Sequence, residues 1–431
     1  MQNCYIKDLK NYKDQEITLK GWVYNFRSSG SIAFLQLRDG SGFCQAVASK
    51  DEVDDNVWFE IERLTIESSV EISSTVSQHP KNPEVFELQV KTIKIIQLAE
   101  EYPIGKKEHG PDFLLNNRHL WLRSQSQWAV LRIRHLVKMG LQEFFNQNGY
   151  QELDTPTFTP TSCEGTSDLF EVEYFDRKAY LTQNGQLYLE ALVMSFGRVY
   201  DLCPNFRAEK SKTRKHLTEF WSLNPEIAFC EHEDSLKIQE AAVKYLAKYV
   251  LEYGLEELKM LDRDTTELQA IVDQPFIHYE YGAAIEELQK RGSDIKYGDD
   301  LGADDEELLT NDSAVPVIVK NWPKDIKPFY MKRHPENPEL VLNADILAAR
   351  GFGEIVGGSQ REDDYEILKQ RMVEAKLPME DFEWYLDLRK YGSVPHCGFG
   401  MGIERLTRWM AGIHHVRETI PFPRMINRLN P

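Results

Sequence analysis

The sequence predicts an α+β chain, with a small β module ahead of a larger domain that mixes helices and strands. Three observations carry that reading. They are a series of β-patterned segments within residues 1–98, a long stretch of helical period over Gln127–Asn148, and a basic loop between two strand-like segments, Val199–Cys203 and Phe220–Phe229.

Ile17–Phe26, Ser31–Arg38, Phe43–Ser49, Ser69–Ser77 and Val85–Ile96 read as five strands from their β-branched and aromatic content. Asp39-Gly40-Ser41-Gly42 is the turn between the second and third. Asp55–Leu64 is a short helical stretch between the third and fourth. Five strands with a helix at that place is the OB-fold arrangement, a platform for single-stranded nucleic acid. Along the second strand Ala33, Leu35 and Leu37 alternate onto one face as core, and Ile32, Phe34, Gln36 and Arg38 onto the other. If that second face is open, Phe34 is a stacking surface for an unpaired base. If it is covered, Phe34 is packing.

Ala99–Asn117 contains Pro103, Gly105, Gly110 and Pro111 without clear periodicity, so a hinge is drawn at 99–118. In the domain from 119 to 431, Val130, Ile133, Val137, Leu141, Phe144 and Phe145 recur at helical steps, and Asn148-Gly149 makes a C-cap. Tyr150–Leu153 then runs extended into Thr155-Pro156. Ser162–Thr166 is a polar, Gly-containing loop able to close over a ligand. Strand Lys178–Thr182 leads into a helix ending near Gly197.

The run Arg207–Lys215 packs five cations into nine residues and carries Ser and Thr. Between two strands such a loop suits a polyphosphate, although a charge run alone is also what a solvated hairpin looks like. Residues 231–311 alternate helical with acidic, polar stretches and read as a solvated insertion with no assigned chemistry. Ala314–Asn321 and Pro328–Lys332 read as further strands. Asp345 and Glu354 follow among Gly351, Gly353, Gly357 and Gly358. Beside a triphosphate two carboxylates are natural Mg2+ ligands; without one they are surface acids. Gly398, Gly400 and Gly402 alternate along a strand end, leaving room for a nucleotide, and Arg405 opens the next helix.

Composition excludes some classes and leaves others open. The 431 residues are 42% hydrophobic and 28% charged, ordinary for a globular protein of two or three domains. A run of about 18 apolar residues is absent, so no membrane span is expected. Met1–Lys10 has neither an apolar targeting core nor a transit pattern, which makes a cytoplasmic location the expectation. The six cysteines are scattered without a CxxC pair, against a zinc knuckle and for reduced thiols. A net charge of −18 counts against nucleic-acid binding unless the acid is kept elsewhere. Glu231–Asp234, Asp299–Glu307 and Glu362–Asp364 are the candidates for faces turned away from RNA.

Taken together, these segments resemble the class II aminoacyl-tRNA synthetases, in the aspartate/asparagine/lysine subgroup and most closely its asparaginyl members. The likeness covers nearly the whole chain. Gln127–Pro156 is similar to motif 1, the usual dimer interface; Phe206–Trp221 to motif 2; and Gly398–Arg405 to motif 3. The resemblance implies an antiparallel sheet flanked by helices in the catalytic domain, ATP as substrate with Mg2+, a homodimer, and tRNA(Asn) and asparagine as partners. By the same resemblance Arg207 bridges the substrate carboxylate and the α-phosphate, Glu209 accepts from the adenine amino group, Arg214 and His216 hold the outer phosphates, Phe220 stacks on adenine and Arg405 meets the γ-phosphate. Asp345 and Glu354 are the implied metal ligands. Glu164 lies in the loop over the amino acid, Gln186 at its α-amino group, Arg361 at its side chain. In the OB module Arg27, Phe34 and Gln45 are the implied anticodon contacts.

Two positions bear on the substrate. Aspartyl enzymes resemble this chain but carry Lys where Leu189 stands; without that cation, an amide is preferred over a carboxylate. Asn224 departs from the Asp or Glu usual near the substrate's amino end, and Glu226 is the candidate to compensate. The implied reaction forms asparaginyl-AMP from asparagine and ATP and passes the asparaginyl group to the 3' end of tRNA(Asn). The alternatives are an aspartyl enzyme, opposed by Leu189; a small-molecule amidating ligase on the same catalytic fold, opposed by the Ser31–Ser49 module; and an inactive RNA-binding paralogue, opposed by Arg207, Asp345, Glu354 and Arg405.

Overall fold

The computed structural model describes residues 2–105, 107–160, 169–210 and 216–431, with backbone alone for Gln2 and Asn3. The chain forms two compact units, Met1–Gly110 and Pro111–Pro431.

In the first unit strands β1 (Gln2–Asn3), β2 (Glu16–Ser29), β3 (Ile32–Arg38) and β4 (Phe43–Ser49) are followed by helix α1 (Asp55–Glu62) and strands β5 (Ser69–His79) and β6 (Asn82–Gln97). The order is β1-β2-β3-β4-β6-β5, and pairing of β5 back onto β2 closes the five long strands into a barrel. The closure needs β4 and β6 to run parallel, Ala46 opposite Leu88. Alternation decides the interior: Ala33, Leu35 and Leu37 are fully buried, while Phe34, Gln36 and Arg38 are only partly covered. Trp58 and Ile61 of α1 join that core.

The second unit begins inside the expected hinge. Helix α2 (Pro111–Asn116) starts on a proline, and α3 (Arg118–Trp121) follows. Pro111 breaks what precedes it but suits a first helical turn, where no amide donor is needed. Helix α4 (Gln125–Gln147) is capped by Ser124, whose side chain accepts from Gln127 N, and ends at Gly149 with a positive φ. Next come β7 (Gln151–Glu152) and a small sheet of β8 (Phe158–Thr159), β9 (Glu171–Tyr174) and β10 (Arg177–Leu181). Helix α5 (Gln186–Phe196) leads into the hairpin of β11 (Arg198–Phe206) and β12 (Glu219–Ala228). Helices α6 (His232–Tyr253), α7 (Leu255–Met260) and α8 (Thr265–Asp273), strand β13 (Ile277–Glu280) and helices α9 (Tyr281–Lys290) and α10 (Ala303–Thr310) make up 231–311. The chain closes with β14 (Val317–Lys320), β15 (Asn343–Ala348), β16 (Gly353–Gln360), α11 (Tyr365–Glu374), α12 (Glu383–Lys390), β17 (His396–Gly402) and α13 (Ile403–Ala411).

The large sheet runs β13-β14-β15-β16-β17-β12-β11-β7. Its middle is antiparallel, as the family resemblance implied, and each edge adds one parallel pairing, β13 with β14 and β7 with β11. Helices α4, α6 and α13 share a core with it through Ile133, Val137, Leu246, Val250, Leu406 and Trp409. This corrects the reading of 231–311 as solvated. Leu236, Val243, Leu246 and Val250 form a buried stripe at helical spacing, and the acids of α6 occupy its other side. Pro328–Lys332 is also not a strand: Met331 makes only an isolated bridge to Arg361. Pro328 has no amide hydrogen to donate to a ladder.

One buried carboxylate ties three stretches together. Glu404 on α13 is ion-paired with Arg134 of α4 at 2.8 Å and accepts from the backbone N–H of Trp221 on β12 at 3.0 Å. Among the described residues no helix is long and apolar enough to cross a membrane.

Candidate active site

A cavity of about 830 Å³ opens over β12, β16 and β17. Of the residues singled out from sequence, Gln186, Arg207, His216, Phe220, Asn224, Glu226, Asp345, Glu354, Arg361 and Arg405 all line it. These positions span 220 residues of sequence, and the antiparallel hairpins bring them to one hollow. Glu209 lies in a smaller adjoining hollow that His216 also lines. Glu164 and Arg214 lie outside the described residues.

One end of the cavity holds cations around an aromatic ring. Arg207 follows β11 directly, with its N–H on the carbonyl of Thr218 at 3.0 Å and its guanidinium 5.4 Å from the centroid of Phe220. Arg405 leaves the first turn of α13 and donates to the Glu354 carboxylate at 3.1 Å and to its backbone carbonyl at 3.0 Å. Lys327, which sequence reasoning missed, donates to Asp345 Oδ2 at 2.7 Å and lies 3.7 Å over the Trp322 ring. It follows the 3-10 turn Lys324–Ile326, where no motif pointed to it.

Asp345 and Glu354 sit on neighbouring strands and converge over Gly357. A Cβ there would meet Glu354 Oε1 at 3.0 Å and Asp345 Oδ1 at 3.4 Å. Their environments push them apart. Burial, with the Glu354 charge adding to it, outweighs Lys327 and lifts the Asp345 carboxyl to about 6. Burial also opposes the Glu354 charge, but Arg405, Lys327 and Arg207 together hold it below the usual carboxylate range. Paired hard oxygens of this kind fit a divalent cation beside phosphate. The insertion contributes here too: Asp300 lines the cavity, and Glu306 accepts from the Glu354 N–H at 3.4 Å. The acids of 299–307 therefore do not simply face away, and Glu362 is buried.

The other end is floored by an ion pair. Arg361 lays its fork on Glu226 in two parallel bonds of 3.0 and 2.9 Å, with side chains 3% and 1% exposed. Burial works against the Arg361 charge, but Glu226 outweighs it and holds the guanidinium above its ordinary range. The third Arg361 nitrogen donates to Ser359 Oγ at 2.8 Å. Gly398 exists for this pair: a Cβ on it would lie 1.7 Å from Glu226 Oε2 and 2.4 Å from Arg361 Nη2. That glycine makes room for protein side chains, where its spacing had suggested room for a nucleotide.

Beneath the floor lies a second buried network that sequence reasoning did not find. Glu190 accepts from Arg389 at 2.6 Å, Tyr385 at 2.7 Å and Gln186 at 3.2 Å, and meets His396 Nε2 at 3.0 Å. Burial opposes the Glu190 charge, yet Arg389 and His396 hold it below the usual range. An acid inside the apolar run Leu187–Val193 was the available signal. Glu190, Glu226 and His396 come close enough to suggest a metal cluster, but Arg361 and Arg389 already occupy both carboxylates.

Leu189 is a correction. It is fully buried with Val193 and Val199 and does not line the cavity. On the same helix Gln186 lines the cavity, while Leu189 packs with Val193 and with Val199 of β11. The charged side chains at that end of the cavity are Glu226 and Arg361.

Residues 110–426 match the family described as tRNA synthetases class II (D, K and N), and residues 17–96 the OB-fold nucleic acid binding domain. The chain is 50% identical over its full 431 residues, and the full length of the relative, to an asparagine–tRNA ligase of Pelotomaculum thermopropionicum. The chain belongs to the asparaginyl-tRNA synthetases. Solved structures agree across the whole chain. An asparaginyl-tRNA synthetase from Pyrococcus horikoshii complexed with asparaginyl-adenylate superimposes with a TM-score of 0.95 at 40% identity, covering 100% of both chains. The Entamoeba histolytica asparaginyl-tRNA synthetase in complex with asparaginyl-adenylate gives 0.90 at 31%, covering 100% of this chain and 99% of the other.

In the OB unit of this synthetase the three expected contacts share one face. Arg27 lies opposite Phe34 in the β2–β3 register, its guanidinium 4.6 Å from the ring centroid. Gln45 lies on β4 opposite Gln36 and donates to Glu87 at 2.6 Å.

Proposed function

We propose that the cavity joins asparagine to ATP and that the chain is an asparagine–tRNA ligase, AMP- and diphosphate-forming. The observation that carries the choice of amino acid is the buried Glu226–Arg361 pair. A lone arginine at the floor would favour a carboxylate side chain. An arginine already neutralised by glutamate offers a donor and an acceptor side by side with no net charge. That pair can accept an N–H from an amide and donate to its oxygen, whereas an aspartate would bring an unpaired anion to Glu226.

At the other end the α-carboxylate oxygen attacks the α-phosphorus of ATP, a P–O bond forms, and the bond to the β-phosphate oxygen breaks to release diphosphate. Two anions must meet and charge builds on the phosphate oxygens, so positioning and fixed positive charge supply the catalysis. Arg207 holds the reacting carboxylate and α-phosphate, His216, Arg214 and Arg405 the outer phosphates, and Phe220 and Glu209 the adenine. Glu164 is assigned to the bound amino acid by the family resemblance. Asp345 and Glu354 would hold Mg2+, which when bound neutralises phosphate charge. The asparaginyl group then passes to the 3' end of tRNA(Asn), whose anticodon Phe34, Gln45 and Arg27 engage, in a homodimer formed through the α4–β7 region.

The test is amino-acid-dependent ATP–pyrophosphate exchange. Exchange with asparagine and little with aspartate is expected. Equal exchange with aspartate, or exchange with neither, would overturn the reading.

A further inference from the structure

Asn224, the neutral residue where an acid was expected, has an acid behind it. Asp201 stands directly opposite in the β11–β12 register. Asn224 Nδ2 donates to Asp201 Oδ1 at 2.6 Å, and Thr155 Oγ1 donates to Asp201 Oδ2 at 2.6 Å. The fold makes room for this: a Cβ on Gly185 would lie 2.0 Å from Asp201 Oδ2 and 2.2 Å from Thr155 Oγ1.

The chemistry fixes which way the Asn224 amide points. A carboxylate accepts and does not donate, so the NH2 end is committed to Asp201 and the oxygen is the opposite end. That oxygen lies beside Gly400, where a Cβ would come within 3.1 Å, and both residues line the cavity. Asp201 is 1% exposed, and among the described residues no Lys, Arg or His pairs with it. Burial raises its carboxyl, and the neutral groups Thr155, Asn224 and Cys203 favour the charged form against it. Buried carboxylates are ordinarily matched by a cation. Here the Asn224 amide stands between Asp201 and the cavity.

We propose that Asp201 is the positioning residue for the substrate's α-ammonium, its charge delivered through the Asn224 amide to the oxygen facing Gly400. The amide is polarised by the anion behind it, so it holds a primary ammonium more strongly than an isolated asparagine would. Asn224 touches the ammonium; Asp201 does not. This rests on the cavity being the asparagine site.

Three enzymes and one analogue test it, all by ATP–pyrophosphate exchange with the full chain. Asp201→Asn keeps a similar shape and removes the charge. It is expected to raise KM for asparagine by about 10-fold, with KM for ATP and kcat much less affected, the loss of one charge-assisted bond. The double variant Asp201→Asn/Asn224→Asp moves the carboxylate one residue toward the ligand and should recover most of that loss, which a merely structural role for Asp201 would not allow. Succinamate, which is asparagine without its amino group, should inhibit the natural chain weakly, with a KI at least about 10-fold above the asparagine KM, and Asp201→Asn should leave that KI unmoved. An unchanged asparagine KM in Asp201→Asn, a double variant no better than the single, or succinamate binding the natural chain as well as asparagine would each overturn the proposal. The succinamate comparison stands even if the variants fail to fold. Absence of asparagine exchange in the natural chain would instead sink the assignment of the cavity.

Discussion

The two ends of the cavity handle charge in opposite ways. At the floor, Glu226 and Arg361 are sealed against each other, 1% and 3% exposed, and Glu190 is sealed against Arg389 and His396. At the outer end, Arg405 and Glu354 are paired but 24% and 38% exposed, and Lys327 and Asp345 each 12%. A sealed pair costs desolvation that only good geometry repays, and it accepts a ligand only of matching polarity. A half-open pair can exchange its partner for a phosphate or a metal. In the proposed function, selectivity belongs to the floor and catalytic charge to the rim.

Removing one cation from each end should separate these roles most sharply. Arg405→Ala is expected to cut asparagine-dependent exchange by about 100-fold or more, the scale for losing one donor to developing charge, with little change in thermal melting. Arg361→Ala should unfold the protein more easily, by about 3–5 kcal/mol, because it strands Glu226 as a buried charge. Melting curves that respond equally to both would dissolve the distinction.

A smaller effect is expected from the aromatic ring at the cation end. Phe220→Ala should raise KM for ATP by about 5- to 100-fold, the range for losing one base–aromatic stack, and leave KM for asparagine alone. Matching rises in both constants would mean that the ring does not separate the sites.

The smallest effect is a pH dependence. The Asp345 carboxyl titrates near 6, so it is ionised above that pH and takes a proton as pH falls through it. Mg2+ must then compete with the proton, and the Mg2+ concentration for half-maximal exchange should rise between pH 7 and pH 5, roughly one unit either side of that value. Glu190, held low, stays ionised over that span, whereas burial raises Glu226 against the pull of Arg361, so any fall in the ratio of asparagine to aspartate use should come at the acid end. A ratio that moves with pH while the Mg2+ requirement does not would reverse the assignment of the ends.

The barrel was legible because strand period is local: the alternation of Ala33, Leu35 and Leu37 against Phe34 and Gln36 needs no distant contact. The rim residues were legible through motifs whose neighbours in sequence stay neighbours in space, as Arg207 and Phe220 do across one hairpin. What escaped was long-range. The Glu190 network joins positions about 200 apart, and nothing in the spacing of Tyr385, Arg389 and His396 points to Glu190. Leu189 misled because it stands three residues after the cavity-lining Gln186, close to its face of the helix, and only the packing against Val193 and Val199 shows that its side chain is core. The acids of 231–311 misled because net charge says nothing about which carboxylates are enlisted; Asp300 and Glu306 reach the rim.

The most direct test of the account compares exchange with asparagine and with aspartate in the natural chain and in Glu226→Gln, which keeps the floor's shape and frees the Arg361 charge. The asparagine-to-aspartate ratio of kcat/KM should fall by at least about 10-fold in the variant, with aspartate use rising in absolute terms. An unchanged ratio would contradict the claim that a neutralised arginine at the floor selects the amide.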